Sequence, residues 1–148
     1  MRRARHIEPD PPDDDPDDEP DALRGRLAEA HRSVNRAAGR LPGAAVVNAR
    51  WLLDTLREIV DAAESLDIGS VVFLRGVLDD FLPTTLRTYL ALGTPQPEQT
   101  GALLDQIDTL QRSAAKERRD AMTRKAHEFA IQASFLTTKF SGSDLDLE

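Results

Sequence analysis

The longest stretch of this chain without proline or glycine spans the forty residues from Ala102 to Ser141. Proline breaks helices and glycine weakens them, so this stretch favours one long α-helix that starts near Glu98 to Ala102. Such a helix would reach about 60 Å at ~1.5 Å per residue, against a radius of gyration near ~15 Å for a compact domain of this size. We therefore expect it to bend, to break, or to project and pair with something.

Apolar residues recur along this helix at steps of three, four, seven and eight, which is the spacing of one helical face. The stripe consists of Leu104, Ile107, Ala114, Met122, Ala126, Phe129, Ala133, Leu136 and Phe140. It weakens between Lys116 and Asp120, where the residues are polar. We expect the helix to end at Ser141–Gly142–Ser143.

Apolar spacing predicts further helices before residue 93. A first helix is expected to be capped by Asp21 and stopped by Gly39 and Pro42–Gly43, and a second is expected from about Ala44 to Leu66. Asp67 and Ser70 are candidate caps of a third. Within the third, Leu82 and Pro83 predict a kink or a break, because proline disfavours the α conformation in the residue before it.

Together these patterns predict an all-α fold of four or five helices, forming an elongated bundle with a long C-terminal helix. Residues 1–20 hold five of the nine prolines and are strongly acidic, which predicts a disordered acidic arm. The expected division is an arm at 1–20, a helical domain at 21–141 and an acidic tail at 142–148. The arm either keeps the chain in solution or docks a basic partner.

Familiar catalytic and metal-binding patterns are absent from the sequence. There is no cysteine, and the three histidines lack a second ligand at metal-binding spacing. No phosphate-binding glycine loop or nucleophile motif occurs. We therefore expect no enzyme activity, no cofactor and no metal site. The sequence also lacks a membrane-spanning run and the apolar region of a secretory signal, so we expect a cytoplasmic protein.

A basic stretch in the long helix is the candidate partner-binding or anion-binding face, formed by Arg112, Lys116, Arg118, Arg119, Arg124 and Lys125. It is either a solvated face, a site for phosphates or an anionic membrane, or a surface covered by the acidic arm. Nucleic-acid binding is not expected. The chain carries a net charge of -7, and the stretch has no interleaved aromatic residues.

The run Asp79-Asp80-Phe81-Leu82-Pro83-Thr84-Thr85-Leu86-Arg87-Thr88-Tyr89-Leu90-Ala91-Leu92 is followed, after a short linker, by Leu103-Leu104-Asp105-Gln106-Ile107-Asp108-Thr109-Leu110. On these residues, the stretch from about 70 to 140 resembles the C-terminal helical part of the XpaC-like family. Those proteins are named for hydrolysis of an indolyl phosphate and grouped with toxic-anion resistance proteins. The resemblance implies a helical bacterial protein linked to stress or the envelope, and it provides no catalytic residues. A Gly-Thr-Pro connection after the tyrosine helix departs from the family pattern.

Two functions follow as predictions from these features. The first is a non-catalytic scaffold or adaptor that binds a protein partner or forms a homo-oligomer through the long helix. The alternative is a peripheral membrane or anion-stress protein that uses the basic face. The first rests on an apolar stripe that is too long for one small bundle to cover.

Overall fold

A computed structural model describes residues 19–62 and 66–146, and within these ranges the chain is all-α, as the sequence predicts. The helices are α1 (Pro20–Ala37), α2 (Gly43–Asp61), α3 (Ile68–Gly76), α4 (Leu82–Leu90) and α5 (Pro97–Asp146). A short 3-10 turn, Ala38–Arg40, extends α1. The predicted acidic arm at 1–20 lies mostly outside the described residues.

The first helix begins two residues earlier than predicted. Glu19, not Asp21, occupies the cap position, and Pro20 follows in the first turn. A proline is tolerated there because the first backbone N–H groups of a helix have no partner inside it. Asp21 instead lies in the first turn, where its carboxylate accepts a hydrogen bond from Arg24 at 2.9 Å.

The second helix ends at Asp61 rather than Leu66, and residues 63–65 lie outside the described ranges. Asp67 caps α3 as predicted, since its Oδ1 accepts the backbone N–H of Ser70 at 2.7 Å. Ser70 itself is not a cap. It lies inside the first turn of α3 and is buried.

Of the kink or break predicted at Leu82 and Pro83, the break does not occur, because the backbone stays helical from Ile68 to Leu90. The irregularity is a π-helical turn at Val77–Phe81, in which the N–H of Leu82 bonds to the carbonyl of Val77. In a regular α-helix the Pro83 ring would clash with the carbonyl four residues earlier. The wider turn just before the proline coincides with that position, so α3 and α4 follow each other without a break, and together we call them the α3–α4 rod.

A tight connection joins α4 to α5. Gly93 has φ +74° and is the only residue with positive φ among those described. This left-handed conformation suits glycine and ends α4. Across the connection, the hydroxyls of Tyr89 and Thr100 lie 2.9 Å apart, which helps to set where α5 begins.

The core lies between α2, α1, the α3–α4 rod and the first half of α5. Its fully buried side chains are mostly leucine, isoleucine and valine, including Leu23, Val34, Leu52, Leu53, Leu56, Ile59, Val60, Leu74, Val77, Leu103 and Ile107. Trp51, the only tryptophan, lies outside this core and is exposed. The bundle therefore contacts α5 along the N-terminal half of that helix.

One buried polar pair links α2 to α5. Gln111 is 3% exposed, and its Nε2 donates to the hydroxyl of Thr55 at 3.3 Å. The Thr55 hydroxyl donates to the carbonyl of Trp51 at 3.1 Å. The side-chain Oε1 of Gln111 has no hydrogen-bond partner among the described residues.

We expect Gln111→Leu to raise the free energy of unfolding by about 1 kcal/mol, because it removes a buried carbonyl that lacks a partner. Thr55 would keep its bond to Trp51. Urea denaturation measures the change. Gln106→Leu, at an exposed position of α5, is the control and should change stability by less than ~0.5 kcal/mol. A loss of stability in Gln111→Leu would contradict this interpretation.

Candidate interaction surface

The 50-residue helix α5 has two halves that differ in burial. Between Leu103 and Ala121 it packs on α2 and α4, and Leu103, Ile107, Gln111, Ala114 and Ala121 are buried. From Met122 to Ser141 every residue is exposed. At ~1.5 Å per residue these 20 residues extend about 30 Å along the helix. We call them the distal half of α5.

The distal half carries large apolar side chains that no described part of the chain covers. Phe129 is 75% exposed and Phe140 is 62% exposed, and Met122, Ile131, Phe135 and Leu136 are also exposed. Monomeric proteins rarely present contiguous apolar surface of this kind without a partner. The distal half is therefore the candidate interaction surface.

Six of the apolar residues in the distal half follow one line at alternate steps of four and three, which is the heptad spacing of coiled coils. These residues, which we call the distal seam, are Met122, Ala126, Phe129, Ala133, Leu136 and Phe140. At ~100° per residue all six lie within about 80° of arc. The sequence stripe identified each of them.

The distal seam is not a simple continuation of the buried face of α5. Beyond Ala121, helical spacing carries the buried line onto Lys125, Glu128 and Gln132, which are polar and exposed. The seam runs roughly 70° further around the helix, at ~100° per residue. The single stripe expected from the sequence therefore consists of two lines. One packs against the bundle, and the other, the distal seam, does not.

Sequence reasoning missed a second apolar strip on the distal half. Ile131 and Phe135 are exposed on a different side of the helix from the seam, and the Nζ of Lys139 lies 6.0 Å from the Phe135 ring centroid. Their i, i+4 spacing was the available signal. A third side is polar and consists of Thr123, His127, Ser134, Thr138 and Ser141.

A polar cluster fixes the point at which α5 leaves the bundle. The Ser70 hydroxyl donates to Glu117 Oε2 at 2.8 Å, and the Arg124 guanidinium donates to the Ser70 hydroxyl at 3.0 Å. Arg124 also lies 3.0 Å from the Asp67 carboxylate. This arrangement holds α5 against the start of α3. A cleft of about 570 Å³ opens beside it, between Leu66 and Phe129.

The carboxyl of Asp67 is stabilised in its charged form by this cluster. Its hydrogen bond from the backbone of Ser70, together with the nearby Arg124, holds the pKa of Asp67 below its ordinary value of 3.8. A lowered pKa means that the folded state favours the carboxylate more than the unfolded state does. The stabilisation is therefore complete above pH 3.8 and is lost as the pH falls through the lower folded-state value.

We expect Asp67→Asn to unfold more easily than the wild type at pH 7, by up to ~1 kcal/mol, since the amide keeps the cap acceptor but loses the charge. The difference should shrink as the pH drops below 3.8. Thermal denaturation of both proteins between pH 2 and 7 measures it. Asp105→Asn, at an exposed position of α5, is the control. A difference that persists unchanged in acid would contradict the assignment.

The six basic residues of the predicted face are not brought together. Four form ion pairs within the chain: Arg112 with Asp108, Lys116 with Asp120, Arg118 with Glu58, and Arg124 with Asp67 and Glu117. Arg119 and Lys125 are exposed. Arg124 helps to hold α5 against α3 through its contacts with Asp67, Ser70 and Glu117. Its seven-residue spacing from Glu117, two helical turns, was the sequence signal for the pairing of these two residues.

A second concave region in the described residues lies away from α5. A groove of about 240 Å³ between α1 and the π-helical turn has an apolar floor, with Arg26 and Asp79 paired at its rim at 3.3 Å. Within residues 19–62 and 66–146, no cluster of three histidines or carboxylates could hold a metal ion. No helix there is long and apolar enough to cross a membrane.

Comparison of the chain with family models, with curated proteins and with solved structures finds no match. The resemblance to the XpaC-like family therefore stays a prediction from the sequence. The functional argument depends on the geometry of the chain itself.

Proposed function

We propose that this protein is a non-catalytic scaffold or adaptor that binds a protein partner through the distal half of α5. One observation carries the proposal: 20 consecutive helical residues are exposed although they include three phenylalanines, Ile131, Met122 and Leu136. Aromatic side chains on a preformed helix are the usual anchors of helix-mediated recognition. The bundle then serves as the base that presents this helix.

A protein partner fits the distal half better than a lipid surface does. An interfacial helix needs one apolar side facing the bilayer and one polar side facing water. Here the distal seam and the Ile131–Phe135 strip lie on different sides of the helix. A flat membrane could cover only one of them, whereas protein partners can pack on both.

The alternative function, a peripheral membrane or anion-stress role for the basic face, has less support. Four of its six cations already have carboxylate partners in the chain, which lowers the charge available to an anion. The cations are also spread around α5 instead of lying on one side. A solvated face accounts for them.

In-cell photo-crosslinking tests the adaptor proposal. A photoreactive phenylalanine analogue replaces Phe129 or Phe135 in the full chain, and a third variant carries it at Thr138 on the polar side. Crosslinked protein is expected at the first two positions and not at Thr138. Absence of any protein adduct at Phe129 and Phe135 would overturn the proposal. Binding to anionic vesicles that is abolished by Phe129→Asp would favour a membrane instead.

A further inference from the structure

The distal seam is ordered so that two copies running in opposite directions place large side chains opposite small ones. We propose that it pairs with the distal seam of a second copy of the chain, as an antiparallel two-helix coil. This inference deepens the proposed function and depends on it, because it names the partner of the distal seam, which is one of the two apolar sides of that surface.

Alternation of large and small residues sets the direction of the pairing. When two seams run antiparallel about a midpoint near Ile131, Ala126 lies opposite Leu136, and Ala133 lies opposite Phe129. Each small residue then meets a large one, which is the condition for interdigitated packing. A parallel pair would instead set two Ala–Ala layers between layers of paired Met, Phe and Leu, leaving voids beside crowded layers.

The apolar area that pairing would bury is large enough for a specific contact. Phe129 and Phe140 are 75% and 62% exposed. At ~150–250 Å² per aromatic side chain, the four rings of two copies would bury on the order of 500 Å². That is about half of the ~1,000 Å² expected of a specific interface. Met122, Leu136, the alanines and the flanking stems supply the remainder.

Charge along α5 also favours the antiparallel arrangement. The sequence after residue 143 carries Asp144, Asp146 and Glu148. In the antiparallel register, this acidic sequence is level with the exposed Arg119 of the other copy, whereas Lys116 and Arg118 already pair with carboxylates of their own chain. Opposite charges at such a rim steer association and fix the register. A parallel pair would place the carboxylates of the two copies together.

The same register has one unfavourable feature. Lys125 and Lys139 flank the seam, and antiparallel pairing places Lys125 of one copy near Lys139 of the other. Exposed lysines lose little in such a contact, because water and salt screen them. The two bundles do not compete for space, since they stand at opposite ends of the paired segment.

The acidic arm is a weaker candidate to cover the seam. Its sequence from residue 1 to 18 offers only Met1, Ala4 and Ile7 as apolar side chains. These cannot replace water along about 30 Å of helix, at ~1.5 Å per residue for the distal half. A second copy offers six apolar residues at matching spacing.

Sedimentation of the full chain between 1 and 200 μM tests the pairing, with a concentration-dependent dimer expected. Phe129→Asp places a charge in the seam and should weaken association by at least about 100-fold, an effect typical of a central aromatic anchor. Phe135→Asp makes the same change on the other side of the helix. It should alter association by less than about threefold. A monomer throughout the range would overturn the inference.

Distances between spin labels test the direction. The chain has no cysteine, so Ser134→Cys and Ser141→Cys each give one labelled site per copy, a heptad apart on the polar side. Antiparallel pairing offsets the labels along the axis by about 9 Å at 134 and about 30 Å at 141, at ~1.5 Å per residue. A parallel pair would give equal distances at the two sites and would overturn the proposed direction.

Charge reversal tests the rim. Arg119→Glu should weaken the dimer several-fold, whereas Arg57→Glu, at an exposed position of α2, should leave it unchanged. Equal effects of the two changes would count against the register.

Sedimentation and crosslinking together separate this inference from the adaptor function. A monomeric protein that still crosslinks another protein at Phe129 keeps the adaptor role and removes self-pairing, whereas no adduct removes both.

Discussion

Leu103→Ala is expected to lower the free energy of unfolding by about 2–5 kcal/mol, whereas Leu136→Ala in the same helix should change it by less than ~0.5 kcal/mol. Leu103 is 2% exposed and Leu136 is 43% exposed. Truncating the first leaves a cavity between α5 and the bundle. Truncating the second removes atoms that already face water in a single copy.

Chemical denaturation at a concentration where the chain is monomeric compares the two variants. The comparison is closely matched, since residue type, helix and substitution are the same. Similar losses in both variants would show that the distal half is packed within one chain, and the interaction surface would then be covered. At higher concentration Leu136→Ala should weaken association, which separates its role from that of Leu103.

Hydrogen exchange along α5 is expected to change abruptly near Arg124. Amides between Leu103 and Ala121 belong to the packed bundle and should be protected on the order of 10³-fold or more, as expected of a stable core. Beyond Arg124, each single copy has only the hydrogen bonds of the helix itself. Isolated helices of this length are marginal in water, so protection there should stay below about 10-fold in dilute protein.

Mass spectrometry of exchanged peptides locates this boundary. Concentrating the protein should raise protection in the distal half, because pairing buries the seam. Phe129→Asp should abolish that rise without changing protection between Leu103 and Ala121. Uniform strong protection along the whole of α5 in dilute protein would contradict the two-part description of the helix.

Local sequence rules predicted most of the fold. The absence of proline and glycine over Ala102–Ser141 predicted the long helix, although the helix runs on to Asp146 through Gly142. A single glycine costs a helix only about 1 kcal/mol, so it does not force an end. Asp67 could be predicted as a cap because the side chain of a cap residue accepts a backbone N–H only two or three residues away, which is a local relation.

Contacts between distant residues could not be predicted in this way. Ser70 and Glu117 are 47 positions apart, yet their hydrogen bond helps to fix α5 to α3. Arg124 belonged to a basic stretch in the sequence, but the structure places it in that cluster and removes it from any free basic face. Near Pro83, where a kink or a break was predicted, the helix continues without a break, and a π-helical turn precedes the proline at Val77–Phe81.

The sequence by itself determined that this chain is helical and that an apolar line follows its last helix. Helical periodicity is a local property of the chain, since neighbours three and four residues apart set it. Only the tertiary structure decided which part of that line is covered, because burial depends on where the other helices end. They end beside Ala121 and Arg124, and the apolar residues beyond that point face water.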